Sequence, residues 1–356
     1  KFSVPVRNKY TADLDVQGVN ITASGIALHD GVLPLRKLGT GSSRLIVSAF
    51  LHDAGPSHIA LIDEIEHGLE PHRLARLLKH LKVPKDEKSG VQPQIFLTSH
   101  SPVVIRELTA PEIFAVRSTA GVSSVLSVSS ISKDPNRGQA HLRASPEAFL
   151  ARKVLVGEGR TEQGLARGLD SWWESQGKDS FALQGAVAID GLGKDTAPQV
   201  AEHLLDLGYT VFLLLDSDEP PNPQFLANVR SKGGKIAQWP DTCSTEERIF
   251  LDIPWEAVRE LVGHAAQYMG DDSVLTVINN ELAAAKQSKI ADLSLPGDQD
   301  GTVFRRALGI AARKKSWFKD ITRGELLARV IGPHLGAIAS KPLGQRLAEL
   351  RTWIDA

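Results

Sequence analysis

The chain has 356 residues, with 41 Lys and Arg against 42 Asp and Glu, and a formal net charge of -1 at pH 7. At roughly 100–200 residues per domain, this length predicts two or three domains. The balanced charge excludes a wholly basic nucleic-acid-binding protein, although a local basic patch is compatible with it. The one cysteine, Cys243, excludes an intramolecular disulfide framework and predicts a cytoplasmic location. No apolar run approaches the ~18 residues of a membrane helix, so no membrane partner is expected.

The first predicted unit is an α/β lobe over residues 1–118. The apolar runs Ile59–Ile62 and Gln94–Leu97 are typical of buried parallel strands, and the leucine spacing within residues 71–82 predicts a helix between them. Residues 119–150 are rich in Ser, Gly, Asn and Pro, which predicts a linker.

A second alternation of strands and helices begins at residue 151. Short apolar runs predict strands at Lys153–Val156, Gly185–Ile189, Thr210–Leu215 and Lys235–Gln238. Helical patterns lie between them, so residues 151–253 are expected to form a Rossmann-like parallel sheet that helices cover on both faces. Residues 254–303 are predicted to be a helical insertion, and residues 304–356 to be C-terminal helices that complete this domain.

Two carboxylates follow the strand at Ile59–Ile62. Asp63 and Glu64 form a pair in which one acid can hold Mg²⁺ through water while the other polarises an attacking water. Upstream, the segment Gly39-Thr40-Gly41-Ser42-Ser43 opens a helix with small residues whose free backbone N–H groups suit an anion. His100 follows the next strand, and in a parallel sheet it would lie beside the acidic pair.

These motifs resemble ABC-type ATPases of the branch that includes the RecF, SMC and OLD (overcoming lysogenization defect) proteins. Gly39, Gly41 and Ser42 look like the signature motif, the strand ending at Asp63-Glu64 looks like Walker B, and Glu66–Pro71 resembles the D-loop region. The resemblance implies that Asp63 assists the metal, that Glu64 is the general base and that His100 senses the γ-phosphate.

The phosphate-binding loop of such an ATPase is missing. No G-x-x-x-x-G-K-[ST] sequence occurs in the 356 residues, and in the resembling families this loop lies well upstream of the signature. The chain is therefore expected to be the C-terminal part of a longer protein and to bind ATP only together with the missing N-terminal part. The resemblance also implies a homodimer, because a second protomer's signature motif completes each site.

A second set of acids follows two strands of the second unit. Glu158 follows the strand at 153–156 and Glu162 lies one helical turn later, while Asp216 and Asp218 follow the strand at 210–215. Ligands of open α/β sheets bind at the carboxyl ends of the strands, so the four acids can converge. They would repel one another without cations, and oxygen ligands select Mg²⁺ or Mn²⁺. The alternatives are an acidic helix N-terminus and an Asx turn.

This pair of motifs resembles the Toprim domain of topoisomerases, bacterial primases, RecR and OLD-family nucleases. An ABC-type ATPase followed by Toprim is the arrangement of the OLD nucleases. The resemblance implies DNA cleavage with two Mg²⁺ or Mn²⁺ ions, for which Ca²⁺ would substitute without activity, and gives Glu158 and Asp216 catalytic roles. Glu246 is predicted to be a further metal ligand, with Glu247 as the alternative.

A basic segment runs from residue 305 to residue 319. It contains six basic residues and no acidic one. We expect one lysine to stabilise developing charge and the other residues to contact DNA phosphates. Lys315 is favoured as the catalytic lysine, with Lys314 and Lys319 as alternatives. The predicted DNA contacts are Arg305, Arg306, Arg313, Lys314 and Lys319. A solvated basic helix face is the competing explanation.

The sequence therefore predicts a metal-dependent DNA endonuclease regulated by an ABC-type ATPase that is incomplete in this chain. One alternative is a DNA-associated regulatory ATPase whose Toprim domain binds DNA without cleaving it. Another is strand transfer or nucleotide polymerisation. Strand transfer would need a nucleophilic tyrosine, and Tyr10, Tyr209 and Tyr268 lie in no recognisable nucleophile motif.

Overall fold

A computed structural model describes residues 29–30, 33–34, 39–42, 45, 59–82, 94–129 and 135–356. The chain divides into two compact units, residues 1–109 and residues 110–356. No helix among these described residues is both long enough and apolar enough to cross a membrane.

The first unit contains a small parallel sheet. Its elements are β1 (His29–Asp30), β2 (Leu33–Pro34), β3 (Ile59–Ile62), α1 (Pro71–Leu81), β4 (Gln94–Leu97) and α2 (Pro102–Glu107). β1 pairs antiparallel with β2, while β3 pairs parallel with β4 so that Ile62 lies opposite Leu97. Leucines at helical spacing on α1 are buried against Ile65 and Val104. The carboxyl ends of β3 and β4 consequently lie side by side.

The second unit begins with an antiparallel hairpin. It consists of β5 (Phe114–Thr119) and β6 (Val122–Ser127), and α3 (Pro135–Ala144) follows. The Ala120-Gly121 turn, at φ 50° and 82°, accounts for part of the small-residue composition that predicts a linker at 119–150. Arg117 of the hairpin lies 3.9 Å from the ring centre of Tyr209, which ties the hairpin to the second unit. The predicted domain and linker boundaries stay predictions.

A four-stranded parallel sheet forms the centre of the second unit. β7 (Lys153–Gly157), β8 (Ala186–Asp190), β9 (Thr210–Leu215) and β10 (Lys235–Gln238) are arranged in the order β10-β9-β7-β8. The connections carry α4 (Arg160–Ser175), α5 (Thr196–Asp206) and α6 (Pro223–Ser231). β7 and β9 are buried along their length, as apolar strands of parallel sheets are. The predicted α/β fold class, with a parallel sheet following an ATPase-like lobe, is confirmed.

The remaining helices cover this sheet and build its core. They are α7 (Thr245–Asp252), α8 (Trp255–Met269), α9 (Asp271–Ala284), α10 (Thr302–Lys314), α11 (Ile321–Ile331) and α12 (Pro342–Asp355). α4 and α11 approach so closely that a methyl group on Gly164 would overlap the Ile321 carbonyl oxygen. α12 returns to the sheet, where Lys153 Nζ donates a 2.7 Å hydrogen bond to the Ile354 carbonyl.

Candidate metal centre

The tips of the neighbouring strands β7 and β9 are joined through a carboxylate. The Asp216 backbone N–H donates to Glu158 Oε2 at 3.0 Å, and the Glu158 N–H donates to the Leu214 carbonyl at 2.9 Å. Gly157 permits the close start of α4, since a Cβ there would lie 2.7 Å from the Cβ of Glu162. The structure thus brings Glu158, Glu162 and Asp216 to the carboxyl end of the sheet.

Glu162 has a local structural role as well as a place among the acids. It is the third residue of α4, and its Oε2 accepts a 2.8 Å hydrogen bond from the Gly159 N–H, as in a capping box. The residue is 4% exposed. Burial raises the pKa of Glu162, because a carboxylate removed from water is costly to ionise without a nearby cation.

A threonine that the motifs do not reveal orients Asp216. Thr245, the first residue of α7, donates from Oγ1 to Asp216 Oδ1 at 2.6 Å and accepts from the buried Trp239 Nε1 at 2.7 Å. Its only sequence signal is its place after Ser244, which caps α7 by accepting from the Glu247 N–H.

Glu246 brings a buried carboxylate oxygen that has no partner. The residue is 2% exposed, and its Oε1 makes no hydrogen bond. Burial, and then the neighbouring Glu162 carboxylate, raise the pKa of Glu246 to about 7. Buried polar atoms are nearly always paired, so an orphaned carboxylate oxygen is a reason to look for an ion or a proton. Between the two acids predicted as alternatives, the geometry favours Glu246.

Glu158, Glu162, Asp216 and Glu246 are called the acid cluster below. Burial, followed by the Glu162 charge, raises the pKa of Glu158 to about 7. Burial and the other three carboxylates raise the pKa of Asp216 well above its ordinary range. Within the described part of the chain, no Lys or Arg forms an ion pair with any of the four. The cluster is therefore a concentration of hard oxygen atoms without an ion-pair partner among the described residues.

The four carboxylates are the kind of oxygen ligand that Mg²⁺ and Mn²⁺ prefer. Their oxygen atoms do not, however, converge on one common position. Among the residues that the structure describes, no three His, Cys, Asp or Glu side chains form a ready ligand group for one metal. The Asp216 amide, the Gly159 amide and the Thr245 hydroxyl each hold a carboxylate oxygen. Small side-chain rotations would have to exchange these hydrogen bonds for metal contacts.

Two further acids at the same edge are neutralised by arginines. Asp218 forms a short ion pair with Arg313. Glu247 Oε1 lies 3.6 Å from Arg313 Nε, and its Oε2 lies 3.6 Å from Arg306 Nε. Asp218 and Glu247 are called the paired acids below. Asp218 thus lies at the strand end where the sequence predicts it, but an arginine is its partner.

Two other predicted DNA-contacting residues of the basic segment, Arg305 and Lys314, also have partners within the chain. Arg305 pairs with Asp300 at 2.5 Å, and its Nη1 donates to the Ile253 carbonyl at 2.6 Å. Lys314 Nζ lies 2.8 Å from Glu281 Oε1. Packing of α10 therefore accounts for part of the charge run, and DNA contact by these residues stays a prediction.

Electrostatic proximity, rather than a direct contact, connects Lys319 to the acid cluster. α10 ends at Lys314, and Ser316 takes a positive φ of 54° that turns the chain. The positive charge of Lys319 acts on Glu162 and Glu246 and lowers their pKa values against the larger effect of burial. Lys315 and Lys319 are both exposed, so burial does not separate them, and the choice of Lys315 stays a prediction. Because the Lys319 charge acts on the acid cluster, we use Lys319 in place of Lys315 in the proposal below.

Lys194 is a second basic residue near the cluster. It follows the glycine turn after β8, where the Gly193 N–H donates to the Glu158 carbonyl at 2.8 Å. Lys194 Nζ lies 2.5 Å from Glu219 Oε2. Its charge also acts on Glu158 to lower that pKa, although burial dominates. The glycine turn was the only sequence signal for this residue.

In the first unit, hydrogen bonds join the predicted nucleotide-site residues. Thr98 Oγ1 donates to Asp63 Oδ1 at 2.5 Å and accepts from the Glu64 N–H at 2.9 Å. The Glu66 carboxylate accepts from the His100 N–H at 2.6 Å and from the Ser99 hydroxyl at 2.7 Å. Glu66, the first residue of the segment that resembles a D-loop, thus holds the histidine segment beside the acidic turn.

The glycine-rich segment contacts the same turn. A Cβ on Gly41 would overlap the carbonyl oxygen of Gly68, so the two backbones are in direct contact. Gly39 and Ser42 lie in the same described stretch, with Gly39 exposed and Ser42 half-buried. The candidate signature and D-loop segments are therefore neighbours in this unit.

The chain consists of an ATPase-like lobe followed by a parallel-sheet α/β domain with an acidic edge. Comparisons with known proteins agree with the ATPase-like lobe. Residues 24–106 match the family model described as "AAA domain, putative AbiEii toxin, Type IV TA system". Among solved structures, the chain is similar to the C-terminal region of the OLD protein of Xanthomonas campestris pv. campestris, at 13% identity and a TM-score of 0.31, over 57% of this chain and 95% of that one. A search of curated proteins finds no match.

Proposed function

We propose that the second unit is a metal-dependent DNA endonuclease of the Toprim type and that the ATPase-like first unit regulates it. The observation that carries the proposal is the acid cluster, four carboxylates without a basic ion-pair partner in the described residues, at the carboxyl end of a parallel sheet. The partnerless Glu246 Oε1 supports it, since a buried anion persists only if something compensates it.

The residues that would hold the metal are Glu158, Glu162, Asp216 and Glu246. When bound, a divalent ion supplies an activated water and offsets charge on the phosphate. Thr245 fixes the rotamer of Asp216 before any ligand arrives. Lys319 supplies positive charge at the same edge, where it would stabilise the negative charge that develops on the phosphate.

The proposed role of the first unit rests on its motifs and on the AAA-domain match. Asp63 and Glu64 lie at the tip of β3, next to the Thr98–His100 segment. We propose that they serve ATP binding and hydrolysis once a phosphate-binding loop completes the site, and that the completed protein works as a homodimer.

A plasmid assay tests the nuclease proposal. Supercoiled DNA is incubated with the chain in Mg²⁺, Mn²⁺, Ca²⁺ or EDTA, and nicked and linear products are expected only with Mg²⁺ or Mn²⁺. Asp216→Asn should abolish cleavage, whereas Asp298→Asn, the same change at an exposed position, should not. Unchanged plasmid with retained DNA binding would favour a non-cleaving DNA-binding domain. Relaxed closed circles would indicate strand transfer.

A further inference from the structure

The six acids at the carboxyl edge of the sheet fall into two electrostatic groups. The acid cluster has no arginine or lysine ion-pair partner among the described residues. The paired acids, Asp218 and Glu247, share Arg313, and Glu247 also lies beside Arg306. The groups are nevertheless close to each other, since the Asp218 charge acts on both Glu158 and Glu247.

The packing of α10 on α7 places Arg313 between the paired acids. At Gly309 the two helices are so close that a Cβ would lie 2.5 Å from the Cα of Glu247. Arg313 follows one turn later on the same face of α10. Its Nη1 contacts Asp218, while its Nε lies 3.6 Å from Glu247 Oε1 and makes no hydrogen bond. The Arg313 guanidinium therefore interacts with Glu247 mainly through its charge and not through a hydrogen bond.

We propose that the Arg313 guanidinium occupies the position of a second cation, so that this edge of the sheet binds one divalent ion, at the acid cluster, and not two. The inference rests on the proposed function, because it concerns the metal of that site, and it replaces the two ions implied by family resemblance. A guanidinium carries a permanent positive charge in proteins. A second ion between Asp218 and Glu247 would meet this fixed positive charge at short range.

The acid cluster, unlike the paired acids, still favours the binding of a divalent ion. Glu246 is buried and its Oε1 has no partner, while Glu158, Glu162 and Asp216 act on one another's charge. Nothing comparable holds for the paired acids, whose charges are already balanced by Arg313 and Arg306.

Counting bound Mn²⁺ by electron paramagnetic resonance in the purified chain tests the proposal without any activity measurement. We expect one ion for the wild type and two for Arg313→Gln, because the substitution removes the cation between Asp218 and Glu247 and leaves Asp218 without its ion-pair partner. The control is Arg346→Gln, which removes the same charge from a remote exposed ion pair with Glu349 and should bind one ion. Circular dichroism verifies that each variant is folded.

A second pair of variants decides the question even if Arg313→Gln does not fold. Asp218→Asn should keep the single ion with little loss of affinity, whereas Asp216→Asn should weaken it at least about tenfold, the range seen when a metal's surroundings are altered. Loss of the ion in Asp218→Asn, two ions in the wild type, or one ion in both the wild type and Arg313→Gln would overturn the inference while the proposed function stands. No bound ion in either protein would overturn both.

Discussion

Replacing Glu246 by glutamine should stabilise the metal-free protein above neutral pH. The carboxylate is buried, and its pKa rises from the ordinary 4.5 to about 7 through burial and the Glu162 charge. Between these two pH values the folded protein holds a proton that the unfolded chain has released. The free energy of unfolding therefore falls as the pH rises through this window. The whole loss of stability caused by the buried carboxylate is present above pH 7.

The size of the effect follows from the pKa. The rise from 4.5 to about 7 corresponds to roughly 3 kcal/mol at about 1.4 kcal/mol for each pKa unit. This is an upper limit for Glu246→Gln, because the glutamine amide must itself find a partner where the carboxylate oxygen has none. For a domain of this size, the melting temperature above pH 7 would rise by at most ~6–12 °C.

Thermal unfolding in EDTA between pH 5 and pH 8.5 provides the measurement. The stabilisation should be small at pH 5 and grow toward pH 8, and added Mn²⁺ should stabilise the wild type more than the variant. Glu349→Gln is the matched control, since its exposed pair with Arg346 is worth little at any pH. Equal melting temperatures at pH 8, or a gain of the same size at pH 5 and pH 8, would refute the reasoning.

Three further predictions concern residues around the site. Lys319→Ala should lower the single-turnover cleavage rate at saturating DNA by roughly 10²–10³-fold, the effect of losing one preorganised charge. Lys315→Ala should leave the rate nearly unchanged, and the opposite result would assign the catalytic role to Lys315. Thr245→Val should destabilise the protein by about 1–3 kcal/mol in urea unfolding, because it leaves a buried indole donor unpaired; an unchanged midpoint would contradict this. Gly309→Ala should lower the free energy of unfolding by ~1–3 kcal/mol, because its methyl group would overlap the backbone of α7. Gly263→Ala, in open space on α8, should raise the free energy of unfolding by ~0.5–1 kcal/mol. Equal effects of the two alanines would show that helix propensity, and not crowding, decides.

The strands and the acids at their tips were predictable because both signals are local. The apolar run at 210–215 coincides with β9, and Asp216 follows it directly. β8 begins one residue later than predicted, at Ala186. In a parallel sheet, strand ends meet at one edge whatever the details of packing, so the convergence of Glu158 and Asp216 needed no knowledge of distant contacts.

The partners of the basic segment could not be predicted in the same way. Arg313 and Asp218 are 95 residues apart in sequence, and only the packing of α10 on α7 brings them together. The composition of the segment does not rank its lysines, because α10 ends at Lys314 and the turn at Ser316 redirects the chain before Lys319. Neither the helix end nor that turn carries a glycine or proline that would have marked it.

The return of α12 to the sheet has a consequence for how the chain acquires its fold. Lys153 at the start of β7 is bonded to Ile354, 201 residues later, and the rings of Phe212 and Trp353 lie 5.4 Å apart. Contacts so distant in sequence give a high contact order and slow folding. At ~5–20 residues per second, a ribosome needs about 10–40 s to deliver α12 after β7 has been made. The parallel sheet therefore waits for its last covering helix, and a product truncated before α12 would leave Phe212 without its aromatic partner.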